Sequence, residues 1–126
     1  MPKAVNPAAF PPNPIYSQGM LAPTTGQTLY ISGQVGIGPD GKPADGIAAQ
    51  TRAAIANVNA VLAEAGMSTS DLVKITIYLT DGSLMPGFME GAAGSLASPP
   101  PATTLLVVKA LAMPELLIEI EGIAVR

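Results

Sequence analysis

The apolar patterning of this chain predicts an α/β sandwich, a mixed β-sheet with two helices on one of its faces. Three observations carry that expectation. Strand-like and helix-like segments follow in the order strands, helix, strand, helix, strand, strand; one segment alternates apolar and polar residues; and one late segment is apolar throughout. The 126 residues, 48% hydrophobic and 12% charged, fit one domain with its own core. Residues 1–14 read as an extended proline-rich arm and residues 15–126 as the domain.

The arm, MPKAVNPAAFPPNP, holds five prolines. Prolines remove ladder donors and resist a helix, so this segment is expected to lie extended over the domain or a neighbour, or to fray. It lacks the apolar core and small-residue cleavage site of a secretion signal, and the chain reads as cytoplasmic. Thr28 to Ser32 predicts a strand closed by Gly33, and Gln34 to Ile37 a second short strand before the turn Pro39-Asp40-Gly41-Lys42-Pro43. From Ile47 to Ala65 the apolar residues recur on one side, at Ile47, Ala54, Ile55, Val58, Val61, Leu62 and Ala65. That spacing predicts an amphipathic helix, with Asp45 as its cap and Gly66 as its stop.

Leu72 to Thr80 places Val73, Ile75, Ile77 and Leu79 on one face and Lys74, Thr76, Tyr78 and Thr80 on the other, a strand against a core. A second helix is predicted from about Met85 to Leu96. Pro86 suits its first turn, but Gly87, Gly91 and Gly94 each cost roughly 1 kcal/mol relative to Ala, so it should be short and loosely specified. Beyond Pro99-Pro100-Pro101, Thr103 to Val108 forms a strand whose residues Leu105 to Val108 read as buried on both faces. Leu117 to Val125 alternates around Glu119 and Glu121.

Two helices cover one face of a sheet of five or six strands, so the second face needs a partner. The natural solution is a homo-oligomer packing sheet faces around a symmetry axis, with ligand clefts between subunits. Six Lys and Arg stand against nine Asp and Glu, and the only arginines are Arg52 and Arg126, so there is no basic patch for nucleic acid. With no Cys and no His, thiol nucleophiles, imidazole bases and His/Cys metal sites are excluded. No stretch approaches the roughly 18 apolar residues of a membrane span. The glycines at 33, 36, 38 and 41 are turn residues, since no helix start follows at phosphate-loop spacing.

The segments Ile15-Tyr16-Ser17-Gln18-Gly19, Leu29-Tyr30-Ile31-Ser32-Gly33-Gln34, Gln50-Thr51-Arg52, Val73 to Asp81, Pro100-Pro101-Ala102-Thr103 and Ile118 to Arg126, in this order and spacing, resemble the RidA, or YjgF-type, family. The resemblance covers nearly the whole chain from Tyr16 onward. It implies a chorismate-mutase-like fold, a homotrimer, and hydrolysis of reactive enamines and imines to keto acids and ammonia without metal or cofactor. It further implies that Glu119, opening the IEIE strand, positions or activates water, and that Tyr16 and the Ser32-Gly33-Gln34 backbone line the cleft. The plainer readings are a capping tyrosine, a turn glycine, and glutamates pointing to water from an edge strand.

One departure matters. Where the family carries an arginine after the Pro-Ala step to bind the substrate carboxylate, this chain has Thr103, and Leu105 replaces the small residue two positions on. A bidentate guanidinium–carboxylate contact is worth on the order of 1.5 to 3 kcal/mol, and a threonine offers one neutral hydroxyl. A pocket with Glu119, Thr103 and Tyr16 therefore suits a neutral or cationic ligand. The reading is a trimeric deaminase relative with weak or altered activity. The alternatives are a non-catalytic small-molecule binder and a chaperone-like, protein-binding trimer; a ribonuclease fares worst, given the acidic charge and absent histidines.

Overall fold

The structure, a computed structural model, describes residues 2–95 and 97–126. Two short strands, β1 (Lys3–Val5) and β2 (Gly19–Leu21), pair antiparallel. The main sheet has four strands: β3 (Thr28–Val35), β4 (Leu72–Leu79), β5 (Ala102–Val107) and β6 (Ile118–Val125), in the order β3-β6-β4-β5. β6 runs antiparallel to both neighbours, whereas β4 and β5 are parallel, joined through helix α2 (Met85–Ala92). Helix α1 (Ile47–Glu64) and α2 supply Ala54, Val58, Leu62 and Phe88 to the same buried cluster as Ile31, Ile77, Leu79, Ile118 and Ile120. Both helices therefore cover one face of a mixed sheet, as the patterning predicted.

Several details depart from expectation. The sheet has four strands rather than five or six. Gln34 begins no second strand: β3 continues through Gly33 to Val35 across a bulge, with Ser32 and Gly33 together opposite Glu121. The arm is more than a spacer, because Lys3–Val5 lies between its prolines and has donors for the β2 ladder. Asp45 does not cap α1; the N-cap is Gly46, at φ 84°, with no side-chain cap bond. At the other end the expected stop holds. Gly66 adopts φ 72° and donates to the Ala63 carbonyl while Met67 donates to Leu62, the paired closure that a left-handed glycine permits. α2 ends at Ala92, and its predicted end, Leu96, lies outside the described residues.

Leu105 to Val108 is not buried on both faces. β5 is the sheet's edge, which leaves Leu106 47% and Val107 56% exposed. That edge is partly covered by the chain's own start: Ser17 bridges Ala102, its N–H donating to the Pro101 carbonyl at 3.2 Å and its hydroxyl to the Pro100 carbonyl at 2.5 Å. The face opposite the helices carries Tyr30, 75% exposed, with Lys74, Tyr78, Glu119 and Glu121. Among the described residues, no helix is long and apolar enough to cross a membrane.

Candidate functional site

Strand alternation sorts the site residues onto two faces. β6 buries Ile118 and Ile120 against the helices, so Glu119 and Glu121 project from the other face, and β6 is an interior strand rather than an edge. There the Glu119 carboxylate lies over Gly33, where a Cβ would collide with it. The bulge and the missing side chain thus let a carboxylate rest against the β3 backbone, a close approach that only glycine permits. Ser32, beside it, is exposed, and its carbonyl accepts from Gln34 Nε2 at 3.1 Å. Further along the same face the Tyr78 hydroxyl donates to Glu121 Oε1. That hydrogen bond, with burial and the charges of Glu121 and Glu119, raises the Tyr78 phenol above its usual range. Lys74 Nζ donates to Thr104 Oγ1 at 2.6 Å.

Tyr16, Thr103 and Leu105 are brought together elsewhere. They line a cleft of about 500 Å3 between α1, α2 and the β4–β5 edge of the sheet. The floor is Ile75, Ile77 and Ile120, and Phe88 stands at the α2 wall. The Ser17 bridge explains how Tyr16 reaches this place, since it fixes the preceding segment along β5. The Thr103 hydroxyl is turned back on its own chain, donating to the Pro101 carbonyl at 3.1 Å. Within one chain, then, Thr103 and Glu119 occupy opposite faces of the sheet and do not share a cleft. Neither arginine lies among the residues that line the cleft. Arg126 Nη1 donates to the Gly66 carbonyl at the end of α1, at 2.6 Å, and Arg52 is exposed on α1.

Patterning did not single out two residues that hold this arrangement. Gln50 is 2% exposed and fully used: Nε2 donates to the Ala44 and Glu115 carbonyls, and Oε1 accepts from Leu117 N–H at 2.8 Å, just before β6 delivers Glu119. Asn57 Nδ2 donates to the Val35 and Ile37 carbonyls where β3 ends. The available signal was an amide at position 50, on the apolar stripe of α1 between Ile47 and Ala54. A buried amide there must be satisfied, and it satisfies loops. Phe88 and the small residues after it were read only as helix.

A single α+β layer pair, with an apolar cleft at one sheet edge and a carboxylate on a strand glycine at the other face, defines the class. The family described as Endoribonuclease L-PSP matches residues 7–126. A RutC family protein of Pyrococcus horikoshii is 38% identical over 119 residues, 91% of each chain. The 2-iminobutanoate/2-iminopropanoate deaminase of Salmonella typhimurium is 33% identical over 124 residues, covering 95% of this chain and 91% of that protein. A crystal structure from the Rid family of Yersinia pestis superposes with a TM-score of 0.80 at 29% identity, over 99% of this chain and 98% of that one. The chain belongs to this family, the RutC and RidA proteins.

Proposed function

We propose that the chain acts as a homotrimer whose small-molecule cleft is a variant of an imine deaminase site, with hydrolysis of amino-acid imines weak or altered. The observation that carries the reading is the Glu119 carboxylate held over Gly33, in a family that includes a 2-iminobutanoate/2-iminopropanoate deaminase. In this reading Glu119 orients and deprotonates a water for attack on the imine carbon. Water adds across the C=N bond, its proton passing through Glu119 to the nitrogen; the C–N bond of the adduct then breaks, the hydroxyl oxygen becomes the carbonyl as its proton goes to nitrogen, and nitrogen leaves as ammonia. No cofactor takes part.

Because Thr103 and Glu119 lie on opposite faces within a chain, a cleft that uses both is built between subunits, with Tyr16, Leu105, Ser32 and Gly33 completing it. Thr103 offers no charge to a substrate carboxylate. Ammonia release is therefore expected to be slow when an amino-acid oxidase supplies 2-iminopropanoate, well below that of the Salmonella deaminase, and Glu119→Gln should remove what remains. An unchanged rate in Glu119→Gln would take the carboxylate out of the reaction.

A further inference from the structure

Resting on that reading of the cleft, we infer that its ligand is an uncharged carbonyl compound, or the corresponding imine, carrying a bulky apolar group that lies between α1, α2 and β5. The lining decides the charge. Among the described residues, the walls that one chain gives the 500 Å3 cleft carry no Lys, Arg, Asp or Glu, so a charged head buried against them finds no partner, and Glu119 supplied by a neighbouring subunit would repel an anionic one. Its polar atoms are uncharged, those of Tyr16, Asn59, Thr69, Ser95 and Thr103, enough to hydrogen-bond one carbonyl or imine group.

The size follows from small residues. Ala92, Ala93, Ser95 and Ala97, at and beyond the end of α2, line the wall where larger side chains would fill the space. An apolar cavity of about 150 Å3 already admits benzene, so this cleft has room for a fused-ring or branched aliphatic group. At the rim stand Met85 and Met89, one turn apart on α2 and both partly exposed, flexible apolar side chains suited to closing over groups of varied shape. Leu105, level with Ile77 in the parallel β4–β5 register, adds an apolar side chain to the floor.

The test uses a matched pair, 2-acetylnaphthalene and 2-naphthoate, which share a skeleton and differ in charge. Titrated calorimetrically into the full-length protein, the ketone is expected to bind at least tenfold more tightly than the carboxylate. Ala92→Phe, which fills the wall, should weaken the ketone at least tenfold, whereas Lys42→Gln, in the exposed turn before α1 and outside the cleft, should leave it unchanged. Methyl-labelled wild-type protein gives a readout that needs no variant to fold: the Met85 and Met89 methyl signals should shift on saturation while Met20 and Met113 stay still. Equal or tighter binding of naphthoate, or unmoved Met85 and Met89 signals, would overturn the inference. Slow, Glu119-dependent ammonia release from 2-iminopropanoate, without ketone binding, would sink this inference and leave the deaminase reading standing. Ketone binding with no Glu119-dependent turnover would do the reverse.

Discussion

Thr103 is the residue that most sharply tests the proposed site. Its hydroxyl serves the Pro101 carbonyl, and supplying a guanidinium by Thr103→Arg should strengthen binding of pyruvate or 2-oxobutyrate by roughly tenfold or more for a well-formed charge-assisted contact. Calorimetric titration of the variant, with its oligomeric state measured alongside, decides it. No gain in an intact assembly would mean that position 103 does not face the ligand. Tyr78 offers a second measurement on the opposite face. Its phenol is raised mainly by the hydrogen bond to Glu121, so the protonated form stabilises the fold. That contribution is complete below the ordinary phenol range and is lost as pH rises through the higher folded value. Tyr78 is therefore expected to ionise late by ultraviolet absorbance, and Tyr78→Phe should remove that late phase. Glu119→Gln should bring it down, because Glu119 adds to the shift; an unmoved Tyr78 would contradict the shared face. The resemblance marked Glu119 and Gly33 separately. Their contact was not legible, because it depends on a bulge that brings Ser32 and Gly33 together opposite Glu121.

At the scale of elements, α2 shows what patterning reads and misses. Its glycines suggested a loosely specified helix, and α2 is indeed only eight residues long. Yet Gly91 is a packing residue. A Cβ there would lie 2.5 Å from the Ala48 carbonyl oxygen and 2.7 Å from Thr51 Cβ, so α1 and α2 approach through it. At Gly87 the obstacle is the Ile47 Cγ2 methyl, which moves only with χ1 of that β-branched residue. Gly91→Ala should therefore destabilise by about 1–3 kcal/mol despite its better helix propensity, while Gly87→Ala should cost less, because a side-chain methyl yields where a backbone carbonyl does not. Thermal unfolding of the two variants separates them, and equal melting temperatures would mean that the helix contact is soft. The same crossing leaves the Thr51 hydroxyl buried and without a hydrogen-bond partner among the described residues. Helix periodicity located α1 to within one residue because eighteen residues repeat its signal, and Gly66 marks its end. Asp45 failed as a cap because the turn into α1 needs the positive φ of Gly46. Strand pairing is not written in periodicity, so the parallel β4–β5 edge stayed invisible.

For the whole molecule, register decides what the sequence left open. Thr103 is level with Ile75, and Ile75 with Gly122, whereas Glu119 is level with Tyr78 and, beyond it, Leu106. A one-residue shift in either ladder would exchange the faces, and nothing in the spacing of the two residues fixes that shift. With the register known, the proposed pairing of Thr103 with Glu119 needs more than one chain. The open face offers Tyr30 and Leu106 to a partner, and a stable interface removes on the order of 800 Å2 per partner from water. Sedimentation equilibrium of the dilute protein is expected to return the mass of three chains. Leu106→Glu places a charge in that face, next to Tyr78 and across from Glu119, and should shift the mass towards one chain. Each chain should stay folded, because Leu106 contributes nothing to the buried core. Turnover that depends on Glu119 should fall with the assembly, since Thr103 and Glu119 would no longer be supplied to one cleft. A single-chain variant that still releases ammonia at the wild-type rate would show that the carboxylate works without its neighbour, and would remove the reason for a site between subunits.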